Sequence, residues 1–279
     1  WGVALALLLG VLGALWAGAA DEASGSAADG KAGGLSDARP LDTLDINKTL
    51  RNFGRLDRRW KAAGGTLQLI SDGDMAVAEA FLAGGGGWIQ LRMKEASPGQ
   101  IVARGREMAA LCSRYGALLL LNDHPELVAA AGAQGVHLGK SDMPPAQART
   151  MLGESAVIGC TANTLEDILA LSTQPADYIG LGPFRYTTTK KNLSPLLGEA
   201  GYRLILSAMR RQGLCIPVVA IGGVGSEDVE TVMRTGVNGL AISGSIARSA
   251  DPRTTTRRFV EAIARWRIGW EEAVEAPSG

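Results

Sequence analysis

Residues 118–142 read LLLLNDHPELVAAAGAQGVHLGKSD and contain one complete repeat of the fold. The apolar run Leu118–Asn122 is followed by a stretch with helical spacing at Pro125–Ala131, by Gly132, and by a second apolar run at Gly135–Leu138. Runs that are apolar throughout are typical of parallel strands covered on both faces. The glycine stands where a helix is expected to stop. The segment therefore predicts two parallel strands joined by a helical crossover.

The same alternation extends from Thr66 through most of the remaining chain. The apolar runs predicted as strands are Leu67–Ile70, Trp88–Arg92, Leu118–Asn122, Gly135–Leu138, Val157–Cys160, Tyr178–Leu181, Pro217–Ile221 and Gly239–Ser243. The predicted helices are Asp74–Ala83, Pro98–Tyr115, Pro125–Ala131, Pro144–Leu152, Thr164–Leu171, Gly198–Gln212, Ser226–Arg234 and Thr255–Trp266. This number of units in about two hundred residues predicts a (β/α)8 barrel of the α/β class. A doubly wound open sheet is the alternative, but it usually has fewer strands, and no G-x-G-x-x-G motif opens a helix here.

The first 63 residues differ from the rest and are kept out of the barrel. Residues 1–20 carry no charge, are long enough to span a bilayer, and end in small residues as a signal peptide does, although a basic start is missing. They are either a membrane-targeting segment or a segment irrelevant to the folded domain. Residues 21–63 form a linker and then a basic amphipathic stretch, which is either a solvated helix face or an interfacial helix. The barrel is expected over residues 64–268 and a C-terminal tail over residues 269–279.

Composition narrows the classes of function. Lys and Arg together number 28, as do Asp and Glu, and a net charge of zero argues against a nucleic-acid binder that works by bulk counterion release. Three scattered cysteines do not make a disulfide framework or a C-x-x-C metal site, and two histidines make a multi-histidine zinc site improbable. A hydrophobic content of 46% excludes wholesale disorder. A globular enzyme or binding domain remains.

Polar residues follow the predicted strands, and in a barrel the chemistry is located at these carboxyl ends. Alternation places Gln90, Arg92 and Lys94 on one side of the second strand, where two cations and an amide suit a phosphorylated ligand. A solvated edge is the alternative, although unpaired buried charge would make it costly.

Two carboxylates end neighbouring strands and form a candidate metal site. Asp123 follows the third strand and Asp142 follows the fourth, and Mg²⁺ prefers one or two carboxylates with substrate phosphates completing its shell. The alternative is that each Asp caps the following helix, at Pro125 or Pro144. His137, which lies between these two residues in sequence, is expected to be a hydrogen-bonded core residue rather than a catalytic one.

The last three strands point to a second anion site. The sixth strand is followed by Thr187, Thr188 and Thr189 and then by Lys190, which suits an anion clamp or lid, with an ordinary solvated loop as the alternative. Gly-rich turns after the seventh and eighth strands correspond to the usual phosphate site of such barrels, with ordinary turns that bind nothing as the alternative. Together these features indicate two phosphorylated ligands, one with metal near strands two to five and one near strands six to eight.

Five segments resemble the thiamine phosphate synthase family in order and spacing. They are QLRMK at 90–94, LLNDHPELVAAAGAQGVHLGKSDMP at 120–144, YIGLGPFRYTTTK at 178–190, VVAIGGV at 218–224 and GLAISGSI at 239–246. The resemblance covers Thr66 to Arg267. It implies a Mg²⁺-dependent transferase that joins a pyrimidine diphosphate to a thiazole phosphate and releases pyrophosphate.

The resemblance also implies residue roles. Asp123 and Asp142 would bind Mg²⁺, and the residues with a catalytic role would be Arg92, Lys94, Thr161 and Lys190. The residues that would hold the pyrimidine diphosphate are Gln90, Leu91, Arg92, Met93, Lys94 and Asn122, and Lys190 would reach its diphosphate. Thr161, which stands where the family commonly has Ser, would also bind substrate. Those that would bind the thiazole phosphate are Thr187, Thr188, Thr189, Gly223, Ser243 and Gly244. Phe184-Arg185-Tyr186 departs from the more usual apolar-aromatic-Pro stretch of the family.

Two other functions are weighed against this one. A thiazole tautomerase shares the barrel but needs an acid–base histidine after the fifth strand, where this chain has Asn163. A non-catalytic, membrane-tethered ligand sensor would account for residues 1–63, but it need not keep a leaving-group site. The family resemblance implies a cytoplasmic enzyme that often self-associates. No nucleic-acid partner is expected from the net charge, and any membrane contact would be made only through residues 1–63.

Overall fold

The computed structural model describes residues 66–186 and 195–275, with side chains described up to Trp266. Eight parallel strands close into a barrel in sequence order. The strands are β1 (Leu67–Ser71), β2 (Trp88–Leu91), β3 (Leu118–Asn122), β4 (Gly135–Leu138), β5 (Val157–Ala162), β6 (Tyr178–Leu181), β7 (Val218–Ile221) and β8 (Gly239–Ile242). The described helices are α1 (Met75–Ala83), α2 (Pro98–Arg114), α3 (Val128–Ala131), α4 (Pro145–Leu152), α5 (Leu165–Ser172), α6 (Gly198–Arg211), α7 (Val229–Met233), α8 (Gly244–Ala247) and α9 (Pro252–Glu275).

Closure of the sheet distinguishes the two folds that the sequence left open. β8 pairs in parallel with β1, with Leu67 opposite Leu240 and Leu69 opposite Ile242. An open doubly wound sheet would leave two edges, so the barrel prediction is confirmed. Every strand begins and ends within two residues of its predicted bounds.

Alternation along the strands separates two apolar layers. One lies inside the barrel and contains Ile70, Trp88, Leu120, Val157, Tyr178, Val219 and Ala241. The other lies between strands and helices and includes the neighbours in sequence, such as Leu69 and Ile179. Because successive side chains of a strand point to opposite faces, Gln90, His137 and Thr161 share the interior with the first layer. Polar side chains are thereby brought to the inner wall of the barrel.

The helices differ from the predictions in several places. Residues 125–131 and 226–234 were each expected to be one helix, but each begins as a 3₁₀ turn, at Pro125–Leu127 and Ser226–Asp228. The last helix continues to Glu275, into the segment expected to be a tail, and the short α8 was not predicted. Ser226 does not cap its helix, because the Asp228 carboxylate accepts from the backbone N–H of Gly225 and closes the turn instead.

Predictions for residues 1–63 lie outside the described residues. Within the described residues, no helix combines the length and the apolar character needed to cross a bilayer.

Candidate active site

The carboxyl end of β2 provides a buried amide beside a second amide on β3. Gln90 is 2% exposed, and its Nε2 donates to Asn122 Oδ1 at 2.6 Å. Its Oε1 is buried and accepts no hydrogen bond from any of the described residues. A buried acceptor without a donor is costly, so this oxygen is suited to receive a hydrogen bond from a ligand.

An open pocket lies beyond the ends of β2 and β3. Its lining residues are Leu91, Arg92, Met93, Lys94, Ile101, Asn122, Asp123 and His124. Six of the residues predicted for the pyrimidine diphosphate and the metal are therefore neighbours around one cavity. Of the predicted residues of this group, Gln90 lies in the strand just below, and Thr161 lies on β5.

The two predicted metal ligands face each other, and neither caps a helix. Asp142 Oδ2 accepts from the backbone N–H of Gly139 at 2.6 Å, and the helix after it has no side-chain cap. Burial, followed by a hydrogen bond to Asp142 and repulsion from it, raises the pKa of Asp123 from 3.8 to about 6, while Arg92 opposes the shift. Asp123 also holds a left-handed backbone conformation at φ 67°. The capping alternative for both residues is wrong.

The donor set at this pair fits Mg²⁺. The repulsion that Asp123 experiences from the Asp142 carboxylate would be relieved by a hard cation, which prefers oxygen ligands. No cluster of three or more His, Cys, Asp or Glu side chains suited to a metal occurs among the described residues. Phosphate oxygens and water would complete the coordination shell of a cation bound at this pair.

His137 lies inside the barrel with both ring nitrogens engaged. Nδ1 is 2.9 Å from the Tyr178 hydroxyl and Nε2 is 3.0 Å from Thr161 Oγ1. The residue is 5% exposed. This confirms the expectation of a hydrogen-bonded core histidine, and it ties the predicted site residue Thr161 to the barrel interior.

The turn after β7 is tied to the segment that follows β6. Arg185 binds both carboxylate oxygens of the buried Asp228, at 2.6 and 2.8 Å. A Cβ added to Gly223 would come within 2.8 Å of the Arg185 Cβ and the Tyr186 carbonyl. The predicted phosphate ligand Gly223 therefore contacts the β6 segment directly. Sequence analysis missed this ion pair, although the departure at Arg185 was a signal.

The turn after β8 is joined to the same region. Ser245 Oγ donates to the Val224 carbonyl at 2.9 Å, which connects the end of β8 to the β7 turn. The guanidinium of Arg248 folds back over Gly244, so that an added Cβ there would meet it at 2.1 Å. The predicted residues Ser243, Gly244 and Gly223 thus belong to adjoining turns. The predicted ligands at Thr187–Lys190 lie outside the described residues.

Comparisons with known proteins agree with this arrangement. A family profile described as thiamine monophosphate synthase matches residues 67–246. The thiamine-phosphate synthase of Bacteroides fragilis is 53% identical over 183 residues, which cover 66% of this chain and 90% of that protein. The same enzyme of Flavobacterium psychrophilum is 41% identical over 191 residues, or 67% of this chain and 93% of that protein.

A solved structure gives the same result. The thiamine phosphate pyrophosphorylase from Pyrococcus furiosus is 28% identical, covers 74% of this chain and 98% of its own, and has a TM-score of 0.66. The profile match runs from β1 to α8 and so includes every described strand and the pocket residues. The chain therefore belongs to the thiamine monophosphate synthase family.

Proposed function

We propose that this protein is a thiamine phosphate synthase. It condenses 4-amino-2-methyl-5-(diphosphooxymethyl)pyrimidine with thiazole phosphate to give thiamine phosphate and pyrophosphate. The observation that carries the proposal is the grouping of two cations, Arg92 and Lys94, with the carboxylate of Asp123 around one pocket. This is the combination that a diphosphate leaving group with its magnesium requires.

The diphosphate end of the first substrate is assigned to the wall of this pocket. Arg92 and Lys94 bind its oxygens, and Asp123 and Asp142 would hold Mg²⁺. The metal, when bound, supplies Lewis acidity that stabilises the departing pyrophosphate. Lys190 belongs to the same proposal through its position in the sequence.

The pyrimidine end is assigned to the amides of Gln90 and Asn122. Gln90 Oε1 has no donor among the described residues, and the exocyclic amine of the pyrimidine offers one. The two amides already hold each other at 2.6 Å, so the acceptor is oriented before the substrate arrives. A preorganised acceptor of this kind favours an aminopyrimidine over an analogue without the amine.

The reaction itself needs little from the protein beyond charge and position. The bond between the pyrimidine methylene and the diphosphate oxygen breaks, and its electron pair leaves with pyrophosphate. The thiazole nitrogen then donates its lone pair to the methylene carbon. No proton is removed in these steps, which agrees with a site whose buried histidine is fully hydrogen bonded.

The thiazole phosphate is assigned to the adjoining turns after β7 and β8, with Gly223, Ser243 and Gly244 as ligands. The threonines Thr187, Thr188 and Thr189 join this set on the basis of the family resemblance. The connection of the β6 segment to the β7 turn through Arg185 and Asp228 supports the assignment, because Arg185 and Tyr186, which directly precede these threonines in sequence, lie close to Gly223.

The alternatives have weaker support. Asn163 replaces the histidine that a tautomerase needs, and its Nδ2 donates to the Gly182 carbonyl at 2.5 Å. A carboxamide held in this way cannot exchange protons with a thiazole ring. A membrane-tethered sensor would not require the paired carboxylates. The cytoplasmic location is part of the present proposal.

The test is a reconstitution with the full chain. Both substrates and Mg²⁺ are added, and thiamine phosphate and pyrophosphate are measured together. We expect equal amounts of the two products, and we expect chelation of the metal or Asp123→Ala to remove at least 99% of turnover, on the order of two powers of ten. Glu230→Gln, an exposed carboxylate on α7, is the matched control and should leave turnover unchanged. Full turnover of the Asp123→Ala variant without metal would contradict the proposal.

A further inference from the structure

Four side chains inside the barrel form a continuous hydrogen-bonded chain that ends at the site. Gln68 Nε2 lies 3.4 Å from the Tyr178 hydroxyl. That hydroxyl lies 2.9 Å from His137 Nδ1, and His137 Nε2 lies 3.0 Å from Thr161 Oγ1. The first three residues are at most 5% exposed, whereas Thr161 is half-buried at the end of β5. The chain therefore runs from β1 across the interior to the carboxyl end of the barrel.

The donors and acceptors along this chain have a fixed order. An amide nitrogen only donates, so Gln68 uses the acceptor capacity of the Tyr178 oxygen. Tyr178 then has one proton to give, and His137 Nδ1 is the acceptor within reach. A neutral imidazole that accepts at Nδ1 carries its proton on Nε2, so His137 donates to Thr161. The Thr161 hydroxyl therefore still has its own proton to donate, and it can donate this proton to a group other than these four side chains.

The environment of Tyr178 keeps this order in place. Complete burial raises the pKa of Tyr178, so its hydroxyl stays protonated and remains a donor. The edge of its ring packs against Trp88, with centroids 5.0 Å apart. Gly159 leaves the space for the ring, since an added Cβ would lie 2.1 Å from it. The opposite tautomer of His137 would give the Tyr178 oxygen two donors and leave its proton without an acceptor, which is costly inside a protein.

We propose that Gln68, Tyr178 and His137 are positioning residues that orient the Thr161 hydroxyl as a hydrogen-bond donor toward the departing diphosphate. The inference rests on the proposed function and on the substrate-binding role that the family resemblance implies for Thr161. A hydroxyl aimed as a donor stabilises the negative charge that grows on the leaving oxygen, whereas one aimed as an acceptor would repel it. The hydrogen bonds inside the barrel thus determine that the Thr161 hydroxyl, at the carboxyl end of the barrel, acts as a donor.

The first experiment measures the tautomer directly. Histidine-selective ¹⁵N labelling of the full chain, read through two-bond ¹H–¹⁵N correlations, identifies which nitrogen of His137 carries the proton. His124, the second histidine of the chain, is assigned by its loss in His124→Gln. We expect a neutral ring protonated at Nε2. Protonation at Nδ1, or a charged ring at neutral pH, would overturn the proposed polarity.

The second experiment asks whether the polarity matters for turnover. Tyr178→Phe removes the hydroxyl that links Gln68 to His137, and we expect it to lower kcat/KM for the pyrimidine diphosphate about tenfold. Tyr202→Phe is the matched control, because Tyr202 is also fully buried but donates to the Leu181 carbonyl. We expect a comparable loss of thermal stability and unchanged kcat/KM. Equal kinetic effects of the two variants would contradict the inference.

A double-mutant cycle separates orientation from general packing. In a Thr161→Val background there is no hydroxyl left to orient, so we expect Tyr178→Phe to have no further effect on kcat/KM. Additive losses would show that Tyr178 acts by packing alone and would overturn the inference. Failure of the wild-type chain to form thiamine phosphate would instead count against the proposed function, and the tautomer measurement would still decide the polarity.

Discussion

Two side chains at the site, Asp123 and Gln90, have unfavourable surroundings in the ligand-free protein, and a bound ligand would improve both. Asp123 faces Asp142, and Gln90 holds a buried oxygen that accepts nothing from the described residues. Each feature lowers the free energy of unfolding of the ligand-free protein, and binding of a cation or a hydrogen-bond donor would remove that cost. Such local costs are typical of functional sites.

The raised pKa of Asp123 predicts a pH-dependent effect on stability. Its folded pKa of about 6 exceeds the unfolded value of 3.8, so the folded state favours the protonated acid. That favourable contribution is complete below about pH 4 and is lost as the pH rises through 6. In EDTA, we expect Asp123→Asn to be more stable than wild type at pH 7 by about 1 kcal/mol after solvent screening, with no difference at pH 4.

Urea unfolding at several pH values measures this difference. Mg²⁺ at pH 7 should stabilise the wild type and leave Asp123→Asn unaffected, which provides the control. A variant that is less stable than wild type at pH 7 in EDTA would contradict the prediction.

The unpaired oxygen of Gln90 predicts a separation of substrate effects. Gln90→Met keeps the volume but removes the acceptor, and we expect KM for the pyrimidine diphosphate to rise about tenfold. KM for the thiazole phosphate should stay the same, because that substrate is assigned to the turns after β7 and β8. Steady-state kinetics with each substrate varied in turn gives the answer. An equal rise in both KM values would place Gln90 outside the pyrimidine site.

At the scale of elements, the packing between consecutive strand–helix units depends on single small residues and single ion pairs. Gly159 on β5 lies under the Tyr178 ring of β6. Arg185 joins the segment after β6 to Asp228 in the turn after β7. Both contacts connect units that are consecutive in the chain, the first at the start of β6 and the second just after its end.

A methyl group at position 159 is expected to disturb the interior. Gly159→Ala would place a carbon within 2.4 Å of three Tyr178 ring and hydroxyl atoms, so the ring must move. We expect a loss of about 1–3 kcal/mol in the free energy of unfolding, typical of an overpacked core. Gly99→Ala is the control, because an added Cβ there meets nothing within 4 Å. Chemical denaturation of both variants is the measurement, and equal stability of the two would contradict the packing argument.

The Arg185–Asp228 pair predicts an effect on one substrate only. Asp228 is 4% exposed, so Arg185→Ala leaves a buried carboxylate with only the Gly225 N–H. We expect this variant to lose about 1–3 kcal/mol of stability and to raise KM for the thiazole phosphate. Arg203→Ala, which breaks an exposed pair with Glu199 on α6, should change neither. A rise in KM for the pyrimidine diphosphate alone would argue against the assigned thiazole site.

At the scale of the whole molecule, closure of the barrel brings distant parts of the chain to one rim. β1 pairs with β8, so Gln68 on β1 and Thr161 on β5 belong to one interior although about half of the strand–helix units separate them in sequence. A ligand that bridges several strand ends should therefore stabilise the fold as a unit. The size of that stabilisation depends on the metal, since the paired carboxylates oppose a diphosphate unless a cation lies between them.

Thermal unfolding of the full chain tests this coupling. We expect the pyrimidine diphosphate with Mg²⁺ to raise Tm by several degrees, and each alone to raise it much less. In Asp142→Asn the combined shift should shrink toward the sum of the separate ones. The Glu230→Gln variant should behave as wild type. Equal shifts by the diphosphate with and without Mg²⁺ would contradict a shared site.

The sequence alone determined the order, type and approximate bounds of the strands, because alternating runs and helix-stopping glycines such as Gly132 are local properties of the chain. It also indicated the family, through segments that lie at strand ends, and a core role for His137. Tertiary structure decided whether Asp123 caps a helix or faces Asp142, since that depends on two loops that only the barrel brings together. It also decided the partners of Gln90, Tyr178 and Arg185. The register between strands and the rotamer of each side chain set these contacts, and both arise from packing across the closed barrel rather than from neighbours along the chain.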